Sequence, residues 1–242
     1  MRRFPVDLLP DQPSQLLLGA DHYRHIVRVL RMRVGEPLLL FDIGGRQTRA
    51  VIRSIGNEEL WVETEAPVEM PTPTKRRIHL ALAMPKGKKI DLVLQKATEL
   101  GVNSFFLFPS KRSVSRPDEE RIERKIPRWK KIISEAARQC CRGEVPEIKY
   151  ESSMQTAMAS MQDGTRLVLA LNARSLIADF LDPAYSEITL MVGPEGGFTD
   201  DEIETAAQSG FVPVRFGGLV LRAETAAIAA VAPFAMDMGE EE

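Results

Sequence analysis

From residue 75 onward the chain alternates short, nearly unbroken apolar runs with amphipathic stretches. The runs are 78–83 (IHLALA), 104–108 (SFFLF), 167–171 (LVLAL), 188–192 (ITLMV) and 211–215 (FVPVR). A strand that is apolar on both faces needs cover on both, which is the situation of a parallel strand inside an α/β layer. Between the runs the apolar period becomes helical. Ile90, Val93, Leu94, Ala97 and Leu100 share one stripe in 89–100, and Gly101 ends it. Ile122, Ile126, Trp129, Ile133, Ala136 and Cys140 share another in 119–141. Thr199-Asp200-Asp201-Glu202 reads as a capping box that opens a helix closed by Gly210. Residues 223–236 form a last, Ala-rich helix. The pattern predicts an α/β domain over 75–242, with ligands at the carboxyl ends of its strands.

Residues 1–70 have a different rhythm. Runs 37–42, 47–53 and 60–65 read as short strands punctuated by Gly44-Gly45 and Gly56-Asn57. From Ala20 to Arg31 the period is helical, with Tyr23, Ile26, Val27 and Leu30 on one face and Arg24, Arg28 and Arg31 on another. A small barrel-like module with one basic helix is expected. The three prolines of 66–74 (APVEMPTPT), without helical period, mark the linker.

Charge sharpens this division. Residues 1–142 carry 27 Lys+Arg against 17 Asp+Glu, whereas 143–242 carry 5 against 17, so a formal net charge of −2 hides a basic first part and an acidic second part. A basic part of this kind suits a polyanion, and a solvated charged face would have the same composition. No apolar run approaches the roughly 20 residues of a membrane span, and the N-terminal MRRFPVDLLPDQP lacks the pattern of a secretory signal. The only cysteines, Cys140 and Cys141, are adjacent and read as packing residues in reduced form. The expected compartment is therefore the cytosol. His22, His25 and His79 with these cysteines give no metal-ligand spacing, so no metal is expected.

Three segments stand out for chemistry. In 188–199 (ITLMVGPEGGFT) a buried strand runs into a glycine-rich turn and then a capped helix; glycines allow the backbone to approach a ligand closely. A tight strand–helix connection without any ligand would use the same residues. The spacing is neither the dinucleotide fingerprint nor a P-loop. In 216–227 (FGGLVLRAETAA), Glu224 suits a helix N-terminus, while Arg222 stands at a strand-to-helix junction, either binding an anionic oxygen or pairing locally. In 85–116, Lys86, Lys88, Lys89, Lys111, Arg112 and Arg116 follow two strands and, with the basic residues of 121–131, form a band suited to phosphates or to solvent. No Ser–His–Asp arrangement, Cys–His pair or carboxylate dyad stands out, and Asp42, Asp91 and Glu99 read as a turn residue and exposed helix positions.

Six stretches together resemble the RsmE family of SPOUT methyltransferases: RHIVRVLRMRVGEPLLLFD (24–42), KGKKIDLVLQKATELGV (86–102), KRSV (111–114), RWKKIISEAARQCCRGEVPEI (128–148), LMVGPEGGFTDDE (190–202) and LRAETA (221–226). The resemblance implies a PUA-like β-barrel over 1–70 and a trefoil-knotted SPOUT α/β domain over 75–242. It implies S-adenosylmethionine-dependent methylation of N3 of a decoding-site uridine in 16S ribosomal RNA of the small subunit, and a homodimer. Carried onto this chain, Val192, Gly193, Pro194, Glu195 and Gly196 would line one side of the cofactor. Leu221, Arg222, Ala223, Glu224, Thr225 and Ala226 would line the other, and Leu169, Ala170 and Leu171 a third wall. RNA would be held by Arg24, Arg28, Arg31, Lys86, Lys88, Lys89, Arg112 and Arg116. Arg222 is the candidate to stabilise a uracil anion, and Glu195 is one candidate base. Two departures are visible: Ala223 stands where Thr is usual, and GGLV (217–220) replaces a Gly-x-Arg-Ile type segment. A methyltransferase for another RNA nucleotide and a non-enzymatic ribosome-assembly factor remain as alternatives.

Overall fold

The structure is a computed structural model that describes residues 1–42, 45–69, 76–85, 89–113, 119–140, 142–161, 163–182 and 184–236. Lys86, Lys88, Arg116 and Cys141 lie outside these residues, as does part of the proline-rich 66–74. The chain divides into two units: Met1–Thr72 together with Ala137–Glu144, and Pro73–Ala136 together with Val145–Glu242.

In the first unit, β1 (Arg3–Val6), β2 (Gln15–Leu18), α1 (Ala20–Tyr23), β3 (Pro37–Asp42), β4 (Arg46–Ile55), β5 (Leu60–Thr64) and β6 (Val68–Glu69) follow in chain order. The strands form one sheet in the order β1-β3-β4-β5-β2, with β6 also on β4; β1 pairs with β3 in parallel and the other pairings are antiparallel. Period two decides what is buried. In β5, Leu60, Val62 and Thr64 point inward while Trp61 and Glu63 point out. Leu38, Leu40 and Ile52 join Leu60 and Val62 in a core that Ile26 closes.

Ile26 belongs to the helix expected over 20–31, but only α1 is α-helical. Residues Arg24–Val29 continue as a π-helical segment, with Leu30 N donating to His25 O at 2.9 Å and Met32 N to Ile26 O at 3.0 Å. The wider turn keeps Tyr23, Val27 and Leu30 on the core side and Arg24 and Arg28 outside. Asp42, expected in a turn, is fully buried. It accepts from the Leu9 and Arg46 amides, both at 3.0 Å, and from the Arg46 guanidinium. Strands β1 and β2 escape the periodic reading because each has four residues and Pro5, Pro10 and Pro13 interrupt the surrounding sequence.

The second unit contains β7 (Arg77–Ala83), α2 (Lys89–Glu99), β8 (Ser104–Phe108), α3 (Glu119–Glu123), α4 (Ile126–Gln139, its last residues grouped with the first unit), β9 (Glu147–Tyr150), α5 (Met154–Ala159), β10 (Thr165–Leu169), β11 (Ser175–Leu176), β12 (Glu187–Val192), α6 (Asp200–Gln208), β13 (Val212–Arg215) and α7 (Ala223–Ala235). The sheet is parallel throughout, in the order β11-β13-β10-β12-β7-β8-β9. Its two faces are separate cores. Ile78, Leu80 and Leu82 of β7 pack with Ile90, Val93 and Leu94 of α2, Trp129 of α4, and Ala227, Val231 and Phe234 of α7. Ala81 and Ala83 pack on the opposite face with Met154, Ala157 and Met158 of α5 and Ala206 of α6. This three-layer arrangement explains the unbroken apolar runs.

The single helix expected over 119–141 is two. Pro127 falls in the first turn of α4, where its missing N–H costs nothing, but it could not donate to Glu123 in a helix running on from α3. Strands β9 (EIKY) and β11 (two residues) lie at the sheet's edges, where a continuous apolar run is unnecessary.

Candidate functional site

Strands β13, β10 and β12 are neighbours in the sheet, and the chain leaves all three at the same edge. Their carboxyl ends and the segments that follow surround one pocket. Leu169, Ala170 and Leu171 contribute from β10, and Val192 to Gly197 from β12. Val214 to Gly217 and Leu219 to Leu221 contribute from β13, with Ala223 and Ala226 from the start of α7. Such a crevice, beyond the carboxyl ends of parallel strands where the strand order doubles back, is where open α/β sheets bind ligands.

The glycine loop is shaped by close contacts. Gly197 N donates to Pro194 O at 2.8 Å, closing a turn in which Gly197 takes φ +65°. A Cβ on Gly193 would stand 3.1 Å from Gly197 C and Phe198 N, so backbone packs directly against backbone there. The expected capping box forms. Thr199 Oγ1 accepts from Glu202 N at 3.3 Å, and Thr199 N donates to Glu202 Oε2 at 2.8 Å. Glu202 is buried, and its other oxygen accepts from Lys111 N at 2.7 Å, so the cap also fixes the loop after β8.

Charge is concentrated at the rim. Lys89 Nζ, at the start of α2, lies 2.9 Å from Glu195 Oε1 and 3.3 Å from Glu224 Oε2. Hydrogen bonding to Glu195 raises the Lys89 pKa above the ordinary lysine value; partial desolvation opposes this and Glu224 adds to it. One Glu224 oxygen is buried and, among the described residues, has the Lys89 ammonium at 3.3 Å as its electrostatic match and no well-aligned hydrogen bond. Arg112 Nη1 donates to Gly196 O at 2.8 Å and to Phe198 O at 3.3 Å. Lys111 Nζ pairs with Asp201 at 2.9 Å, which raises the pKa of the lysine and lowers that of the aspartate.

Of the residues suggested for the cofactor, Leu169, Ala170, Leu171, Val192, Gly193, Pro194, Glu195, Gly196, Leu221, Ala223 and Ala226 are brought together around the pocket. Arg222, Glu224 and Thr225 are not among its lining. Arg222 is the exposed N-cap residue of α7 and its side chain caps nothing, Glu224 turns to Lys89, and Thr225 is exposed. The residues not foreseen are Gly197 and the β13 side, Val214 to Gly217 with Leu219 and Val220. The only signal for the latter was the glycine pair, because nothing in the sequence shows that β13 inserts beside β10.

Of the residues suggested for RNA, Arg24, Arg28 and Arg31 are exposed on the first unit. Arg24 lies 3.5 Å from Asp21, and the Arg28 guanidinium sits 5.7 Å from the Tyr23 ring centre. Lys89 and Arg112 are instead engaged by the pocket loops. A second polar group lies toward the amino ends of the strands, away from the pocket. His79 Nδ1 is 2.6 Å from Ser104 Oγ and its Nε2 is 2.8 Å from Glu187 Oε1, joining β8, β7 and β12. The members of this trio lie 25 and 108 positions apart, so the sequence carries no sign of it. Its geometry is that of a cross-strand staple.

Comparison with known proteins places this architecture in a class. Residues 72–235 match the model of an RNA methyltransferase domain, and residues 18–65 the model of an RNA methyltransferase PUA domain. Relatives and solved structures narrow the class: the chain belongs to the ribosomal RNA small subunit methyltransferase E family. It is 32% identical to that protein of Bacillus subtilis over 96% of this chain and 94% of the relative. It is 33% identical to that of Rickettsia conorii over 90% and 88%. The crystal structure of the Neisseria gonorrhoeae ribosomal RNA small subunit methyltransferase E, bound to S-adenosyl methionine, superposes with a TM-score of 0.78 at 29% identity, covering 96% of this chain and 95% of that one. A putative methyltransferase of Legionella pneumophila, in complex with the same cofactor, gives 0.77 at 30% identity, covering 96% of both chains.

Proposed function

We propose that this chain methylates N3 of a decoding-site uridine in 16S ribosomal RNA, drawing the methyl group from S-adenosylmethionine held in the pocket at the ends of β10, β12 and β13. The observation that carries this reading is the convergence of three strand-end loops beside one unengaged guanidinium, Arg222, in a chain of this family. The pocket fits the cofactor chemically. Leu169, Val192 and Leu221 supply apolar walls for a flat heterocycle, beside a glycine loop packed backbone on backbone at Gly193. When bound, the cofactor supplies an electrophilic methyl on a cationic sulfur.

The protein's share is positioning and charge. Neutral uracil N3 carries a proton and is a weak nucleophile. A guanidinium near O2 or O4 stabilises the anion without taking up a proton. Arg222 suits this role because it is exposed, next to the pocket-lining Leu221 and Ala223, and has no ion-pair partner among the described residues. The Glu195 carboxylate is committed to Lys89, so Arg222 carries the proposal and Glu195 serves the loop. Holding N3 against the methyl supplies much of the remaining acceleration.

A second copy of the chain completes the site in this reading. The cavity is about 170 Å³, small beside the roughly 300–1,000 Å³ of ordinary ligand sites. Its rim exposes Leu219 at 78%, Val220 at 77% and Leu171 at 65%, an apolar edge suited to burial. The late insertion of β12 between β10 and β7, and of β13 between β11 and β10, supports a knotted path.

The test is methyl transfer to small ribosomal subunits from a strain lacking this modification, followed by mass spectrometry of the nucleosides. The expected product is 3-methyluridine. A different methylated nucleoside would reassign the target, and none at all, with the cofactor bound, would remove the enzymatic reading.

A further inference from the structure

The first unit contains a cavity of about 520 Å³ that shares no residue with the proposed catalytic pocket. Phe4, Pro5 and Val6 of the edge strand β1 line it, with His22, His25, Asp7 and Arg138. Arg138 belongs to the same unit. His22 Nε2 lies 2.6 Å from Pro5 O, which ties the helical segment to the strand. The His25 ring is exposed and stands edge-on to Phe4, with ring centres 5.7 Å apart and planes at 87°. Arg138 Nη2 donates to Asp7 Oδ1 at 2.9 Å, while Arg138 Nε is buried and has no hydrogen-bond partner among the described residues. A buried donor left unsatisfied is costly.

We infer that this cavity receives one unpaired RNA base, a reading that rests on the proposal that the chain acts on RNA. The lining combines an apolar surface (Phe4, Pro5, Val6) with donor-bearing side chains (Arg138, His25) and acceptors (Asp7, Asp21). The lining sets one guanidinium, Arg138, against the carboxylates of Asp7 and Asp21, so it offers a bare phosphate no surplus of fixed positive charge. A nucleobase offers what the lining asks for, a flat face to stack and an edge carrying both donors and acceptors. The neighbouring Arg24 and Arg28, exposed on the same helical segment as His25, suit the flanking phosphates.

The test measures binding of a short fluorescein-labelled single-stranded RNA to the full chain by anisotropy across a salt series, with cofactor binding followed in parallel by calorimetry. His25→Ala is expected to weaken RNA binding by about tenfold, as loss of one stacked base does, without changing the salt slope or cofactor affinity. His25→Phe, which retains a stacking face, is expected to recover most of that loss. Arg28→Ala is expected to lower the salt slope by about one. Unchanged affinity in His25→Ala, no recovery in His25→Phe, or a lowered salt slope in His25→Ala overturns the base-pocket assignment while leaving the RNA reading intact. A wild-type chain that binds cofactor but neither this RNA nor isolated small ribosomal subunits overturns both.

Discussion

Lys89 Nζ lies 2.9 Å from Glu195 Oε1, so the start of α2 is tied to the glycine loop that forms one wall of the pocket. The same ammonium reaches Glu224 at 3.3 Å, at the start of α7. One charge therefore holds two loops that are 29 positions apart, between Glu195 and Glu224. Lys89→Met should loosen both and leave two carboxylates facing each other. S-adenosylmethionine affinity, read by calorimetry, should fall on the order of tenfold because the loops are no longer preorganised, and Lys89→Arg should restore part of it. The salt slope of RNA binding should not change. A fall of about one in that slope, with cofactor affinity intact, would return Lys89 to the phosphate contacts suggested by its sequence position.

Arg112 makes a parallel case. Its guanidinium donates to Gly196 O and Phe198 O, and a Cβ placed on Gly196 would sit 3.4 Å from the Arg112 Cβ and Cδ. The side chain is a brace laid across the glycine loop. Arg112→Ala should weaken cofactor binding severalfold, and Gly193→Ala should do so more severely, since the added methyl meets the backbone of Gly197 and Phe198 rather than a side chain that can move. Calorimetry on variants with unchanged melting behaviour separates this from global destabilisation. Full affinity in Gly193→Ala would mean that the close backbone approach has no role in ligand binding.

The sequence stated the second unit's layering because unbroken apolar runs such as IHLALA have one common explanation, a strand covered on both faces, and Leu80 and Ala81 do face opposite cores. It stated the turn of the glycine loop and the cap at Thr199 because the bonds that define them are local, Gly197 to Pro194 and Thr199 to Glu202. What it concealed is long-range. The strand order that brings Arg215 and Phe216 to the pocket, the 108-residue separation of His79 and Glu187, and the engagement of Lys89 by two carboxylates depend on which strand inserts beside which. Short or edge elements were concealed for another reason. Strand β9 alternates polar and apolar residues over only four positions, and β11 has only two, so neither is long enough for a periodic signal to stand out. The π-helical segment escaped because its buried and exposed residues, Ile26 and Arg28, are the same ones an α-helix would have placed there.

Arg222 separates chemistry from binding. It is the N-cap residue of α7 without a side-chain capping bond, and its exposed guanidinium is not needed by the fold. Arg222→Ala should bind S-adenosylmethionine normally and fold normally. Its single-turnover rate of methyl transfer should fall by about 10²–10³, the loss typical of removing one charge-stabilising group from a transition state. Arg222→Lys should recover part of the rate. Wild-type turnover in Arg222→Ala would remove the anion-stabilising role.

Asp42 makes the stability of the first unit depend on acid. Burial alone disfavours its charged form, but the amides of Leu9 and Arg46 and the Arg46 guanidinium outweigh that, and the pKa is lowered from its ordinary value of 3.8. The folded state therefore binds this proton less readily than the unfolded chain does. The contribution to stability is complete above pH 3.8 and is lost as pH falls below it through the lowered folded value. Asp42→Asn should cost about 2 kcal/mol at neutral pH, because a charged acceptor of several hydrogen bonds becomes a neutral amide that also carries donors. The same variant should show a flatter acid dependence than the wild type, since the titrating group is gone. Denaturant unfolding at pH 7 and at a series of values below 3.8, followed through Trp61 of β5, measures both. If wild type and Asp42→Asn lose stability in parallel across that acid range, the charge on Asp42 is not what ties the Leu9 and Arg46 segments together.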